Sequence, residues 1–260
     1  MKKQLVLIKF GGSLISDKEK EDTARPDIIA RCAEQVKEVK QALPDADLII
    51  GTGAGSFGHM QALRYMLKKN IEPAEQFYGM CVIHNNVRKL NEMVVDQLTE
   101  RGIPAFSISP SAFLMASDGA VTSSFLQPLR QLLASGCIPM VHGDVALDSV
   151  RGLTIMSTEK ILQICLEDLR ELYEEIIVIY CMDSDGVWDE DRKTIPVLEK
   201  DQLVFTYQSD TKDVTGGIEG KVKSARKAAE LADSVYLISG MEQGALKKAM
   251  EGNQIGTRVT

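Results

Sequence analysis

Gln4-Leu5-Val6-Leu7-Ile8-Lys9-Phe10-Gly11-Gly12-Ser13 sets the fold and the first chemistry of this chain. The apolar run is continuous rather than alternating, the pattern of a parallel strand covered on both faces. It stops at a lysine and a glycine pair. There the backbone turns with no Cβ in the way, and successive N–H groups can point at one anion that Lys9 also reaches. The same residues also read as a plain turn beside a solvated lysine.

Similar runs predict strands at Ala46–Ile50, Pro104–Ile108, Ile138–His142, Ile176–Cys181 and Ser234–Ile238. Helical patterns alternate with them. One opens at Pro26, carries Ile29, Cys32, Ala33, Val36 and Val39 on one face, and closes at Pro44. Others lie at Ile83–Arg101, around Leu162 to Leu169, and at Ile218–Leu231. Strands alternating with helices predict an α/β fold, with a mostly parallel sheet and helices on both sides. A change of role is expected near Tyr173, with residues 1–172 and 173–260 as two lobes sharing one sheet. The polar stretch Asp189–Asp213 reads equally as a strand pair or a long loop.

Two further glycine clusters follow the pattern of the first. Gly51-Thr52-Gly53-Ala54-Gly55-Ser56-Phe57-Gly58-His59 comes after a strand and precedes a helix starting near Phe57. Four glycines in eight residues exceed the needs of a turn, and a helix N-terminus attracts phosphate. His59, in the first helical turn, would face the same anion. Taken alone it reads as an ordinary surface histidine. Gly53-x-Gly55-x-x-Gly58 formally matches a dinucleotide fingerprint. The acidic residues about 20 positions on, Glu72 and Glu75, have no strand before them, which argues against that reading. In the third cluster, Asp213-Val214-Thr215-Gly216-Gly217-Ile218-Glu219-Gly220-Lys221, the glycines lead into a helix with Lys221 one turn inside. Weaker candidates are Asp183-Ser184-Asp185-Gly186, as a ribose or adenine contact or an Asx turn, and His142-Gly143-Asp144 at a strand's carboxyl end.

The bulk composition narrows the classes. With 260 residues the chain can bury a sizeable core, and 44% apolar residues is ordinary for a globular protein. A net charge of -7 argues against a broad nucleic-acid face but allows a local cationic pocket. The five cysteines are odd in number and mostly sit in apolar runs, as reduced core residues do. No stretch approaches the roughly 20 apolar residues of a membrane span, and the expected compartment is the cytoplasm. No metal-ligand cluster is expected. Converging cations suit phosphoryl transfer to an acceptor that is itself anionic. Two unit charges about 4 Å apart repel by about 4 kcal/mol at an effective dielectric of about 20. Lys9, Lys18, Lys221 and aimed amides would offset that repulsion.

These motifs, together with Val87-Arg88-Lys89-Leu90-Asn91, Ser109-Pro110-Ser111-Ala112-Phe113 and His142-Gly143-Asp144-Val145, resemble the amino acid kinase superfamily over nearly the whole chain. The histidine after Gly55-Ser56-Phe57-Gly58 is similar to the branch that phosphorylates phosphate groups, which includes isopentenyl phosphate and fosfomycin kinases. The resemblance implies an open αβα sandwich, usually a homodimer. The N-terminal lobe would bind the acceptor and the C-terminal lobe ATP, with Mg2+ held mostly by the phosphates. Isopentenyl phosphate is the implied acceptor, a phosphonate such as fosfomycin the alternative, and a nucleotide-binding regulator with weakened catalysis a third possibility.

By the same resemblance, Lys9, Lys18 and Lys221 would stabilise the transferring group, and His59 would hold the acceptor phosphate. Gly11, Gly12, Ala54, Gly55, Ser56, Gly58, Gly143 and Asp144 would surround the acceptor. Ser13, Asp183, Asp185, Gly186, Gly216 and Gly217 would lie along the nucleotide with Lys9, Gly11 and Lys221. Glu159 stands where the family has an aspartate that orients the lysines, and Lys160 adds a positive charge next to it. Phe57, Met60, Met80 and Ile83 could line an apolar tail pocket, or simply be core.

Overall fold

The fold is taken from a computed structural model that describes residues 4–65, 73–199, 202 and 217–260. In chain order its first half contains β1 (Gln4–Phe10), α1 (Gly12–Ile15), α2 (Pro26–Ala42), β2 (Asp47–Thr52), α3 (Gly55–Tyr65), α4 (Pro73–Thr99), β3 (Ala105–Ser107), β4 (Leu114–Ser117), β5 (Ala120–Ser124) and α5 (Gln127–Ala134). The second half contains β6 (Ile138–His142), β7 (Asp144–Asp148), β8 (Gly152–Met156), α6 (Thr158–Leu169), β9 (Glu175–Met182), β10 (Val197–Leu198), α7 (Gly217–Ala229), β11 (Ser234–Ser239), α8 (Ala245–Met250) and β12 (Thr257–Val259).

Eight strands form the main sheet in the order β10-β12-β11-β9-β1-β2-β6-β3, parallel throughout except for the β11–β12 pair. The first strand lies mid-sheet between β2 and β9, which is why its apolar run is unbroken. Its side chains alternate between two cores. Val6, Ile8 and Phe10 face α2, the C-terminal half of α4, and α8. Leu5 and Leu7 face α6 and α7. Period two therefore sends Lys9 to the α6–α7 side at the strand's carboxyl end. All six predicted strands exist, within two residues at each end. The helix predicted at Ile83–Arg101 runs from Pro73 to Thr99, and the one predicted near Phe57 begins at Gly55.

A second, four-stranded sheet, β5-β4-β7-β8, was missed by the periodicity argument. Its strands are short and its outer face is solvated. Its hairpin signal is nonetheless present in Asp118-Gly119, both at positive φ between β4 and β5. The Asp148 carboxylate braces this turn and the next one. It accepts N–H bonds from Asp118 (3.0 Å), Gly119 (2.7 Å), Val150 (2.9 Å) and Arg151 (2.9 Å). Burial pushes that carboxyl up, but the four donors outweigh burial and hold it at about 2, below its ordinary 3.8. A lowered folded value stabilises the fold above the unfolded value, and that stability is lost as pH falls from about 4 through 2. Thermal melts of Asp148→Asn across this window should accordingly show a lower plateau and a shallower acid decline than the parent. Parallel curves would contradict this.

The ambiguous stretch after Trp188 is a tight turn, closed by the Trp188–Thr194 bridge and followed by β10. Its remainder, residues 200–201 and 203–213, lies outside the described residues.

Candidate active site

The carboxyl ends of β1, β2, β6 and β9 meet at one edge, and the first two glycine clusters interlock there. A Cβ on Gly12 would sit 2.5 Å from the Gly55 Cα and overlap its nitrogen, so only glycine fits. Gly55 itself has φ +51, and a side chain there would run into Ser16. Gly53 N–H closes the contact by donating to Phe10 O at 2.8 Å.

Accounting for the amides separates the candidates. Gly11 N–H is used by Cys181 O (2.9 Å), Gly143 N–H by Thr52 O (3.0 Å) and Gly58 N–H by Ala54 O (3.2 Å). Ser56 N–H donates to Ser16 Oγ at 3.0 Å, and the Ser56 hydroxyl bonds the Thr23 backbone. These four residues shape the loops but have no amide to offer a ligand. The N–H groups of Gly12, Ser13, Ala54 and Gly55 have no acceptor among the described residues. They are the orphan donors of two helix N-termini in van der Waals contact, an arrangement suited to anions.

A charge cluster begins at the end of β1, two residues before the first glycine pair. Lys9 Nζ pairs with Glu159 Oε1, both side chains largely buried at 8% and 14% exposure. Glu159 is in the first turn of α6, which is fixed by the Ser157 N-cap and by Thr158 Oγ1 donating to Thr52 O at 2.8 Å. Burial pushes the Glu159 carboxyl up, but the Lys9 charge and hydrogen bond, with the field of Lys221, hold it below the usual carboxylate range. Lys221, one turn into α7 with its ammonium 3.4 Å from Gly217 O, therefore acts on the same carboxylate. Lys160 leaves the cluster: its ammonium bonds Gly119 O at 3.0 Å on the β4–β5 turn, so it adds no charge to the site.

His59 is half-buried, four residues into α3 and so at the end of its first turn. Lys18 is exposed on a loop fastened over the second glycine cluster. Thr23 N–H bonds Ser56 Oγ at 3.3 Å, and Asn86 Nδ2 bonds Asp22 Oδ2 at 3.0 Å. Asp183 is exposed just past β9. Asp185 is committed within the protein, accepting from Trp188 Nε1 (2.5 Å) and Thr194 Oγ1 (2.6 Å), and Gly186 packs on Thr194 and Thr257. Gly217 opens α7, and nothing among the described residues lies within 4 Å of where its Cβ would be. Gly216, with Asp213, Val214 and Thr215, lies outside the described residues.

The expected apolar wall divides. Met80 and Ile83 cluster with Ala62, Val87, Val145 and Leu153 against Ala54. Phe57 instead belongs to the core under the main sheet, and Met60 is exposed. Sequence reasoning missed His84, whose Nδ1 lies 2.9 and 3.0 Å from the two oxygens of the buried Asp144. A lone histidine in a helical pattern gives no such signal.

The profile of the Amino acid kinase family matches residues 4–239. The chain belongs to the amino acid kinase family. Within it, the chain is 34% identical over 98% of its length to the isopentenyl phosphate kinase of Methanothermobacter thermautotrophicus, covering 99% of that protein. It is 28% identical to the enzyme of the same name from Methanocaldococcus jannaschii, covering 98% of each. A solved isopentenyl phosphate kinase structure superposes with a TM-score of 0.78 at 30% identity, over 98% of this chain and 99% of that one. The amino acid kinase fold of these relatives is the α/β sandwich described above. No helix among the described residues is long and apolar enough to cross a membrane.

Proposed function

We propose that this protein is an ATP-dependent kinase that transfers the γ-phosphoryl group to a small phosphate monoester, with isopentenyl phosphate as acceptor and isopentenyl diphosphate as product. The observation that carries the reading is the Lys9–Glu159–Lys221 cluster at the same sheet edge as the orphan amides of Gly12, Ser13, Ala54 and Gly55. The near full-length likeness to isopentenyl phosphate kinases supports the choice of acceptor.

In this reading the amides and His59 hold the acceptor phosphate. Lys9 and Lys221 reach the oxygens of the transferring group, and Glu159 keeps both ammonium groups aimed. Charge spread over the equatorial oxygens of a loose transition state is met by donors already in place, so no covalent enzyme intermediate is needed. Residues 1–172 carry the acceptor side and 173–260 the nucleotide side, in a cytoplasmic homodimer as the family resemblance implies. No group of three or more His, Cys, Asp or Glu side chains among the described residues could hold a metal. The donors present suit the phosphates of a nucleotide, and Mg2+ would arrive bound to them, neutralising part of their charge. Lys160 on Gly119 favours the kinase over the regulator reading, because its charge is directed away from Glu159.

The test is ADP release on a panel of monophosphates, phosphonates and carboxylates. Turnover of isopentenyl phosphate above the phosphonates is expected. Selective turnover of fosfomycin, or of a carboxylate, would overturn the assignment.

A further inference from the structure

The pair formed by His84 and Asp144 has no part in the charge cluster, yet it borders the acceptor side. Three contacts locate it. A Cβ on Gly58 would touch Val87 Cγ1 at 3.0 Å, so α4 lies directly against the second glycine loop. A Cβ on Gly143, one residue before Asp144, would lie 3.7 Å from the Ala54 nitrogen, one of the orphan amides. His84 is one helical turn from Val87 and bridges to Asp144, closing the ring between α4, β7 and the loop.

The chemistry of the pair is defined by its geometry. The Asp144 side chain has no exposure, and both its oxygens face His84 Nδ1. That nitrogen therefore carries the hydrogen and donates it. The neighbouring His142 is itself tied to Gly143 O (3.3 Å) and Ser109 Oγ (3.4 Å). The His84 side chain is 26% exposed, and its Nε2 has no partner among the described residues. It is a pre-oriented hydrogen-bonding atom beside the apolar cluster of Met80, Ile83 and Val87. A site meant only for hydrocarbon would have no use for it.

We propose that His84, held by Asp144, determines acceptor specificity by hydrogen-bonding a hydroxyl group on the organic part of the acceptor through Nε2. This rests on the kinase reading above and deepens it: phosphate monoesters with a hydroxyl-bearing chain form part of the substrate class. Asp144 acts only as a positioning residue.

The experiment compares butyl phosphate, hydroxybutyl phosphate and isopentenyl phosphate in steady-state turnover and in calorimetric binding. Both measurements use the parent and His84→Asn. Asparagine keeps a donor near the Nδ1 position for Asp144 and deletes the outer nitrogen, and a melting curve checks the fold. The parent should favour hydroxybutyl over butyl phosphate by about tenfold in kcat/KM, and His84→Asn should abolish that ratio. Equal use of the two esters by the parent, or a ratio unchanged in the variant, overturns the role of His84 alone. Failure of all three esters to bind or react overturns the kinase reading and this inference with it.

Discussion

Replacing Lys9 by methionine should reduce kcat by about 10²- to 10³-fold, the usual cost of removing one preorganised donor to developing charge. It should also destabilise the fold by roughly 3 kcal/mol, because Glu159 then remains as a largely buried carboxylate without its ion-pair partner. The two losses have different causes and separate in the double variant. Lys9→Met with Glu159→Gln removes both charges, so melting temperature should recover towards the parent while turnover stays low. Recovery of activity along with stability would show the pair to be structural. An unchanged kcat in Lys9→Met alone would remove Lys9 from the transfer step.

Gly12→Ala should cost both stability and turnover. The added carbon overlaps the Gly55 backbone, which cannot rotate away as a side chain can, so the two glycine turns must separate. A forced shift of this kind costs about 1–3 kcal/mol, and misplacing reacting groups by about 1 Å costs about 10²-fold in rate. Gly136→Ala is the control: its φ of +75 strains any side chain, unlike the backbone at Gly12, but nothing among the described residues lies within 4 Å of the new methyl. It should lose about 1 kcal/mol of stability and keep its kcat. If the two variants lost activity equally, backbone strain anywhere would explain the result and the interlocked turns would have no special standing.

What the sequence disclosed follows the physics of each element. Strands buried on both faces, such as β1 and β9, announce themselves through unbroken apolar runs, and period two then places Lys9 on the α6–α7 side. The glycine pairs could be read because close backbone approach excludes every other residue. The small sheet β5-β4-β7-β8 stayed hidden because its strands are only four or five residues long and partly solvated. Within the site, sequence pointed to the right loops but could not say which amides are already spent. Gly11, Ser56, Gly58 and Gly143 looked equivalent to Gly12 and Gly55 until their hydrogen bonds were traced. The direction of Lys160, the internal use of Asp185 and the pairing of His84 with Asp144 depend on contacts between residues far apart in the chain.

The central claim is that this cluster moves a phosphoryl group onto a phosphate. Phosphorus NMR of the purified protein with ATP, Mg2+ and isopentenyl phosphate tests it most directly. The account predicts that the monophosphate resonance disappears and a coupled pair of diphosphate doublets grows in step with ADP. Consumption of ATP to ADP and inorganic phosphate, with isopentenyl phosphate unchanged, would contradict it.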